Sequence, residues 1–310
     1  MIENKYIFGP VPSRRLGLSL GIDVIPMKTC SLSCRYCQIG ITPLTTVVRR
    51  EYVTPDVILP ELRDYLAKGQ RPDFLTFSGS GEPTLNKNLG SIIRGVKSVS
   101  NIPVCVITNG TMLWDPQVRE DLLDADVVMP SLDSASEETF REICRPHPDL
   151  HVEKIVEGMV VFRTMYPGKI WLEVLFVSGF NDSPEELAAL RDAVSRIKPD
   201  SLQLNTVVRP PADSSAHPVT LERLEEIRAF FGGNTEIIAA FNKKSGKTRD
   251  VDTSDVLEYL KRRPGSTEDI SESLGAAREQ IERILGTLLG EGIIRRAEFF
   301  GKCFWEYNGG

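Results

Sequence analysis

The residues best suited to do chemistry are three cysteines in one short stretch, Cys30-Ser31-Leu32-Ser33-Cys34-Arg35-Tyr36-Cys37, at C-x3-C-x2-C spacing. Thiolates bind zinc and iron–sulfur clusters. A structural zinc site takes four ligands, commonly as two close pairs, and neither a histidine nor a fourth cysteine lies nearby. Three thiolates on a four-iron cluster leave one iron without a protein ligand, which is the opening a chelating substrate needs. The remaining cysteines, Cys105, Cys144 and Cys303, are scattered, and a secreted disulfide scaffold would be shorter and denser in cysteine. The cluster of three therefore points to metal.

A second constellation is Gly79-Ser80-Gly81-Glu82-Pro83-Thr84-Leu85. Its glycines permit close backbone approach, Pro83 stiffens the exit, and Glu82 falls at the end of a predicted strand, where ligands of α/β folds bind. Further strand ends carry Asn109, Ser131, Asp133 and Asn205. Ser131 and Asp133 have the chemistry to bind ribose hydroxyls. Glu173 sits inside a stretch rich in Val and Leu, so its carboxylate must be paired or functional. His147, His151 and His217 lack a Cys or Asp partner at nucleophile spacing, and a hydrolase has no support.

Parallel strands covered on both faces position these groups. Runs rich in Val, Ile, Leu and Phe occur at 18–25, 73–78, 103–108, 127–132, 170–177 and 201–208. Helical patterns fall at 55–68, 88–99, 116–123, 152–165, 184–197 and 220–231, with Pro55 and Pro184 at the first helical position after Thr54 and Ser183. Six strands alternating with helices give an α/β fold with right-handed crossovers. The pattern breaks after Ala240. A polar, basic stretch at 241–249 reads as a linker, followed by helical patterns at 254–261, 267–274 and 277–289 and β-like stretches at 293–299 and 303–307. That layout is a winged helix-turn-helix. The division expected is 1–240, 241–249 and 250–310.

The cysteine stretch, with Tyr36 as the aromatic residue before the last cysteine, resembles the motif of the radical S-adenosylmethionine (SAM) superfamily. The likeness covers about residues 6–240. Gly81-Glu82-Pro83 corresponds to the family's Gly-Gly-Glu-Pro segment for the methionine amino group, with Ser80 in place of the first glycine. The resemblance implies a partial (β/α)6 barrel. It implies one 4Fe–4S cluster on Cys30, Cys34 and Cys37, and SAM held by Tyr36, Ser80, Gly81, Glu82, Pro83, Asn109, Ser131, Asp133, Glu173 and Asn205. It implies an oxidoreductase or transferase that cleaves SAM reductively to a 5′-deoxyadenosyl radical, using electrons from a flavodoxin or ferredoxin. Phe8-Gly9-Pro10-Val11-Pro12-Ser13-Arg14-Arg15-Leu16-Gly17 and Val207-Val208-Arg209-Pro210-Pro211 look like a subgroup similar to the radical domain of wyosine-forming tRNA synthases. On that likeness Arg14, Arg15 and Arg209 are candidate substrate contacts, through phosphate or carboxylate, or else are held in salt bridges.

The chain has 310 residues, with 37 Lys and Arg against 43 Asp and Glu, a formal charge of −6. That balance argues against a protein that coats nucleic acid by bulk charge. Residues 251–310 carry eight Lys and Arg against eleven Asp and Glu, so duplex DNA is not the expected partner of the C-terminal unit. A tRNA or peptide substrate is the expectation, with an iron–sulfur DNA-binding regulator as the rival from another class. With no long apolar run and no signal-like start, a cytoplasmic protein away from membranes is expected.

Overall fold

The computed structural model describes residues 6–13, 15–69, 71–238 and 251–308; Arg14 and the predicted linker at 241–249 lie outside them. One eight-stranded sheet runs in chain order: β1 (Ile7–Ser13), β2 (Gly17–Ile22), β3 (Phe74–Phe77), β4 (Val104–Thr108), β5 (Val127–Pro130), β6 (Lys169–Phe176), β7 (Ser201–Thr206) and β8 (Thr235–Ile237). β1 is antiparallel to β2, and every other pairing is parallel. The connections carry α1 (Pro55–Ala67), α2 (Leu89–Val99), α3 (Pro116–Asp121), α4 (Glu137–Cys144), α5 (Val152–Met165), α6 (Pro184–Ile197) and α7 (Leu221–Phe231).

Local chemistry fixes these elements. α6 starts on Ser183, whose hydroxyl accepts from the Glu186 amide, with Pro184 first in the helix. It then buries Leu187, Leu190, Ala193 and Ile197 along one stripe. All six residues of β7 are buried, as in a strand covered on both faces.

The sheet curls. Arg15, just before β2, reaches Glu173 on β6 and lies 3.4 Å from Gln203 on β7. In a flat sheet five strand spacings would separate β2 from β7 by about 24 Å, beyond any side chain. The result is an α/β fold of parallel strands around a shared interior. Two strands and the helix α4 were not expected. β1 is a proline-containing edge strand, and β8 is only three residues long.

The C-terminal unit holds α8 (Thr253–Arg262), α9 (Thr267–Leu274), α10 (Arg278–Gly290), β9 (Ile294–Phe299) and β10 (Lys302–Tyr307), the last two forming an antiparallel pair. It has its own apolar core of Val256, Leu260, Ile270, Ile281, Leu285 and Trp305. Capping boxes at Asp252/Asp255 and Ser266/Asp269 open two of its helices. The unit is seated on the main body. Asp269 pairs with Arg209 at 3.5 Å. The Arg262 guanidinium stands 4.4 Å over the Phe8 ring. Phe8 itself fits because Gly21 has no side chain; a Cβ there would lie 2.1 Å from the ring. Phe299 packs against the main core, and the rings of Phe300 and His217 meet edge to face at 5.8 Å.

Candidate functional site

The cysteine loop leaves β2 and folds back along the end of β3. The Lys28 amide donates to the Ser80 carbonyl at 2.8 Å, and the Glu82 amide donates to the Thr29 carbonyl at 2.9 Å. This seam explains Gly81, where a Cβ would sit 2.0 Å from the Thr29 carbonyl oxygen. The Ser80 hydroxyl and amide both donate to Asp23, at 2.5 and 3.1 Å, so its side chain serves the strand end. Burial pushes the Asp23 carboxyl above its ordinary value.

Glu82 is buried and fully engaged. It accepts from the Thr84 amide and hydroxyl at 3.0 and 2.5 Å, the Thr108 hydroxyl at 2.6 Å and the Asn109 amide at 2.7 Å. It ties the end of β3 to the end of β4, with Pro83 buried beside it. Burial pushes its carboxyl up, and these four donors oppose that. Asn109 continues the chain of contacts to the cysteines. Its side-chain Nδ2 is 2.9 Å from the Ser31 hydroxyl and 3.5 Å from the Cys30 sulfur.

Tyr36 and Asp133, both expected at the cofactor, meet each other. The Tyr36 hydroxyl donates to Asp133, which also accepts from the Leu175 amide at 2.8 Å. Asp133 is 5% exposed, and burial raises its carboxyl to about 7. Asp133, expected as a ribose acceptor, fixes the aromatic residue between Cys34 and Cys37. A cavity of about 50 Å³ beside it is lined by Tyr36, Asn109, Ser131, Asp133 and Cys144 among others.

Glu173 pairs with Arg15, and the Asn205 amide donates to it at 3.3 Å. Of the two expectations for Arg15, the structure shows the salt bridge. Its charge is spent inside the sheet's curl, because a carboxylate on a buried strand requires a cation. Arg209 is 4% exposed and faces Asp269, so it joins the main body to the C-terminal unit instead of lining an open face.

Two groups beside the loop were missed. Cys144, remote in sequence, has its thiol hydrogen-bonded with Cys34; that bond and burial together raise it well above an ordinary thiol. No sequence signal marks it. Lys28 was findable as a cation next to thiols. Its Nζ is enclosed and has no hydrogen-bond partner. Its charge interacts with Cys37 and Cys30, while burial lowers its affinity for the proton.

A parallel α/β sheet with a three-cysteine loop at its strand ends is the arrangement of an iron–sulfur enzyme that works on a small cofactor. Residues 24–191 match the family described as the Radical SAM superfamily. The chain is 34% identical to a UPF0026 protein of Methanocaldococcus jannaschii, over 97% of this chain and 95% of that one. It is 38% identical over 99% of its length to a Brachyspira hyodysenteriae protein named GTPase Obg, of which it spans only 46%. Its fold is similar to that of a radical SAM methyltransferase from Sphaerobacter thermophilus, with a TM-score of 0.55 and 14% identity over 71% of this chain and 65% of that one. The chain belongs to the radical SAM superfamily and to the UPF0026 proteins. The cofactors of this superfamily are a 4Fe–4S cluster and SAM.

The loop suits that cluster. It offers three thiols on one short segment, and an enclosed ammonium without an acceptor stands beside two of them. An unpaired buried cation is costly, and an anionic cluster held by the same loop would satisfy it.

Proposed function

We propose that this protein is a radical SAM enzyme in which Cys30, Cys34 and Cys37 hold one 4Fe–4S cluster and the adjoining strand ends receive SAM. The observation that carries this reading is the set of three thiols with the unpartnered Lys28 ammonium beside them. When bound, the two cofactors supply a one-electron cleavage of the sulfonium bond and a carbon radical that abstracts hydrogen.

The chain's own groups prepare the place for that chemistry. Lys28 offsets the negative charge of the loop. Asn109 steadies Cys30, and Tyr36 on Asp133 steadies the turn between Cys34 and Cys37. On this reading the Ser80–Pro83 edge, Ser131 and the polar pair of Glu173 and Asn205 line the place where SAM binds.

Residues 1–240 form the catalytic unit on this reading, and 250–310 a winged helix-turn-helix that presents substrate. A flavodoxin- or ferredoxin-type donor supplies the electron, in the cytoplasm. Among the described residues no helix is long and apolar enough to cross a membrane. The proposed substrate is a tRNA base, on the likeness of the segments around β1 and after β7. Arg15 and Arg209 already have carboxylate partners, so phosphate contacts would fall to other cations.

The test is anaerobic reconstitution followed by SAM and dithionite. 5′-Deoxyadenosine should form, and should not form when any of the three cysteines is replaced. A fully loaded protein that yields none, yet binds duplex DNA, is a regulator and not an enzyme.

A further inference from the structure

We propose that residues 207–219 are a strap coupling the C-terminal unit to the cysteine loop, with Asp213 the positioning residue at the loop end. This rests on the reading of Cys30, Cys34 and Cys37 as the cluster site and assigns a device that serves it.

The strap leaves the end of β7 and touches the C-terminal unit twice. Arg209, near its start, pairs with Asp269 of α9. His217, near its end, meets Phe300 at the tip of the β9–β10 hairpin. Between these points it crosses to the cysteine loop. The Asp213 amide donates to the Arg35 carbonyl at 2.9 Å, and the Asp213 carboxylate accepts from Arg35 Nη1 at 2.8 Å and from Arg145 Nη2.

Those arginines are not arbitrary neighbours. Arg35 follows Cys34, and Arg145 follows Cys144, whose thiol is hydrogen-bonded with Cys34. One carboxylate therefore grips the chain just beyond both cysteines.

The grip is stiff at both ends. The other Asp213 oxygen accepts from the Ser215 amide and hydroxyl at 3.0 and 2.7 Å. The Arg35 guanidinium is fixed further by donating to the Glu142 carbonyl at 2.8 Å and by the Phe180 ring 5.0 Å away. Hydrogen bonds from Ser215 first, then Arg145, hold the Asp213 carboxyl well below the usual carboxylate range, so the grip is charged at all ordinary pH. Ala216 is fully buried and anchors the strap's middle. A displacement of α9 or of the hairpin tip is thus transmitted to the backbone at Cys34 through charge-assisted bonds.

The experiment compares full-length wild type with Asp213→Ala, Asp213→Glu and Asp269→Ala. In cluster-free protein, the alkylation rate of Cys34 is followed by peptide mass mapping. After reconstitution, the electron paramagnetic resonance spectrum of the reduced cluster is recorded. Asp213→Ala should speed Cys34 alkylation about fivefold, the low end of ordinary coupling between sites, and shift the spectrum. Asp213→Glu should restore most of both. Asp269→Ala, which touches neither the cysteine loop nor Asp213, should move both in the same direction by less. Wild-type values in Asp213→Ala overturn the positioning role, and wild-type values in Asp269→Ala overturn the coupling. Should Asp213→Ala fail to fold, Asp269→Ala alone decides. Wild type that loads no iron sinks the cluster reading, while the Cys34 rates still judge the strap.

Discussion

The polar groups around the cysteine loop and those of the C-terminal unit are wired in opposite ways. Around the loop, partners are distant in sequence and sheltered: Arg15 with Glu173 at 15% and 14% exposure, and Arg49 with Asp121 at 8% and 10%. In the C-terminal unit they are close and wet: Arg278 pairs with Glu282 one helical turn on, at 57% and 50%, and with Glu268, at 56%. Sheltered pairs define a geometry at a large penalty for error, because an orphaned buried charge is expensive. Exposed pairs contribute solubility and little else. The difference teaches that the sheltered charges around the loop hold one site in shape. The C-terminal unit keeps its fold by apolar packing and caps, and leaves its charged surface available.

The largest effect expected concerns the thiols. Replacing Cys30, Cys34 or Cys37 with Ala should abolish the cluster, seen as lost iron and lost brown colour. Replacing Cys105, Cys144 or Cys303 should leave about four irons per chain. Cys144 is the informative control, since its thiol touches Cys34. Loss of iron in Cys144→Ala would make it a fourth ligand and close the open iron.

Next comes the sheltered pair itself. Arg15→Leu leaves the half-buried Glu173 without its cation and should cost about 1–3 kcal/mol of stability, measured by denaturant unfolding. A loss near zero would erase the contrast between the two regions.

A smaller effect should appear against pH. Burial raises the Asp133 carboxyl to about 7 from 3.8, so the folded chain holds this proton more tightly than the unfolded one. Its contribution to stability is fully present below the ordinary carboxylate range and is lost as pH rises through about 7. Asp133→Asn should therefore flatten the melting temperature of cluster-free protein between those limits. An unchanged slope would place the titration elsewhere.

The smallest belongs to the C-terminal unit. Arg278→Ala removes two exposed ion pairs, to Glu268 and Glu282, and should leave the denaturant midpoint close to that of wild type. A marked drop would show that this surface, too, is structural.

Periodicity, turn residues and spacing determined much of this protein. α5 and α6 start and stop where the apolar stripe and the Pro184 start signal put them, and the strands from β2 to β7 fall on the runs of Val, Ile, Leu and Phe, with β2 and β6 each starting one residue earlier. The cysteine spacing carries the family, and Gly81 shows why its position admits no side chain. α4 was not bounded, being eight residues of mostly polar sequence, and β1 was hidden by Pro10 and Pro12, which an edge strand tolerates and a pattern search rejects. Only the tertiary structure decided the partners. Nothing in the sequence says that Asp133 holds Tyr36, that Arg15 turns inward to Glu173, or that Asp213 grips the chain beyond Cys34. Local pattern reports how deeply a residue is buried. Which charge answers it is set by how far the sheet curls, because that brings together strands the chain visits far apart.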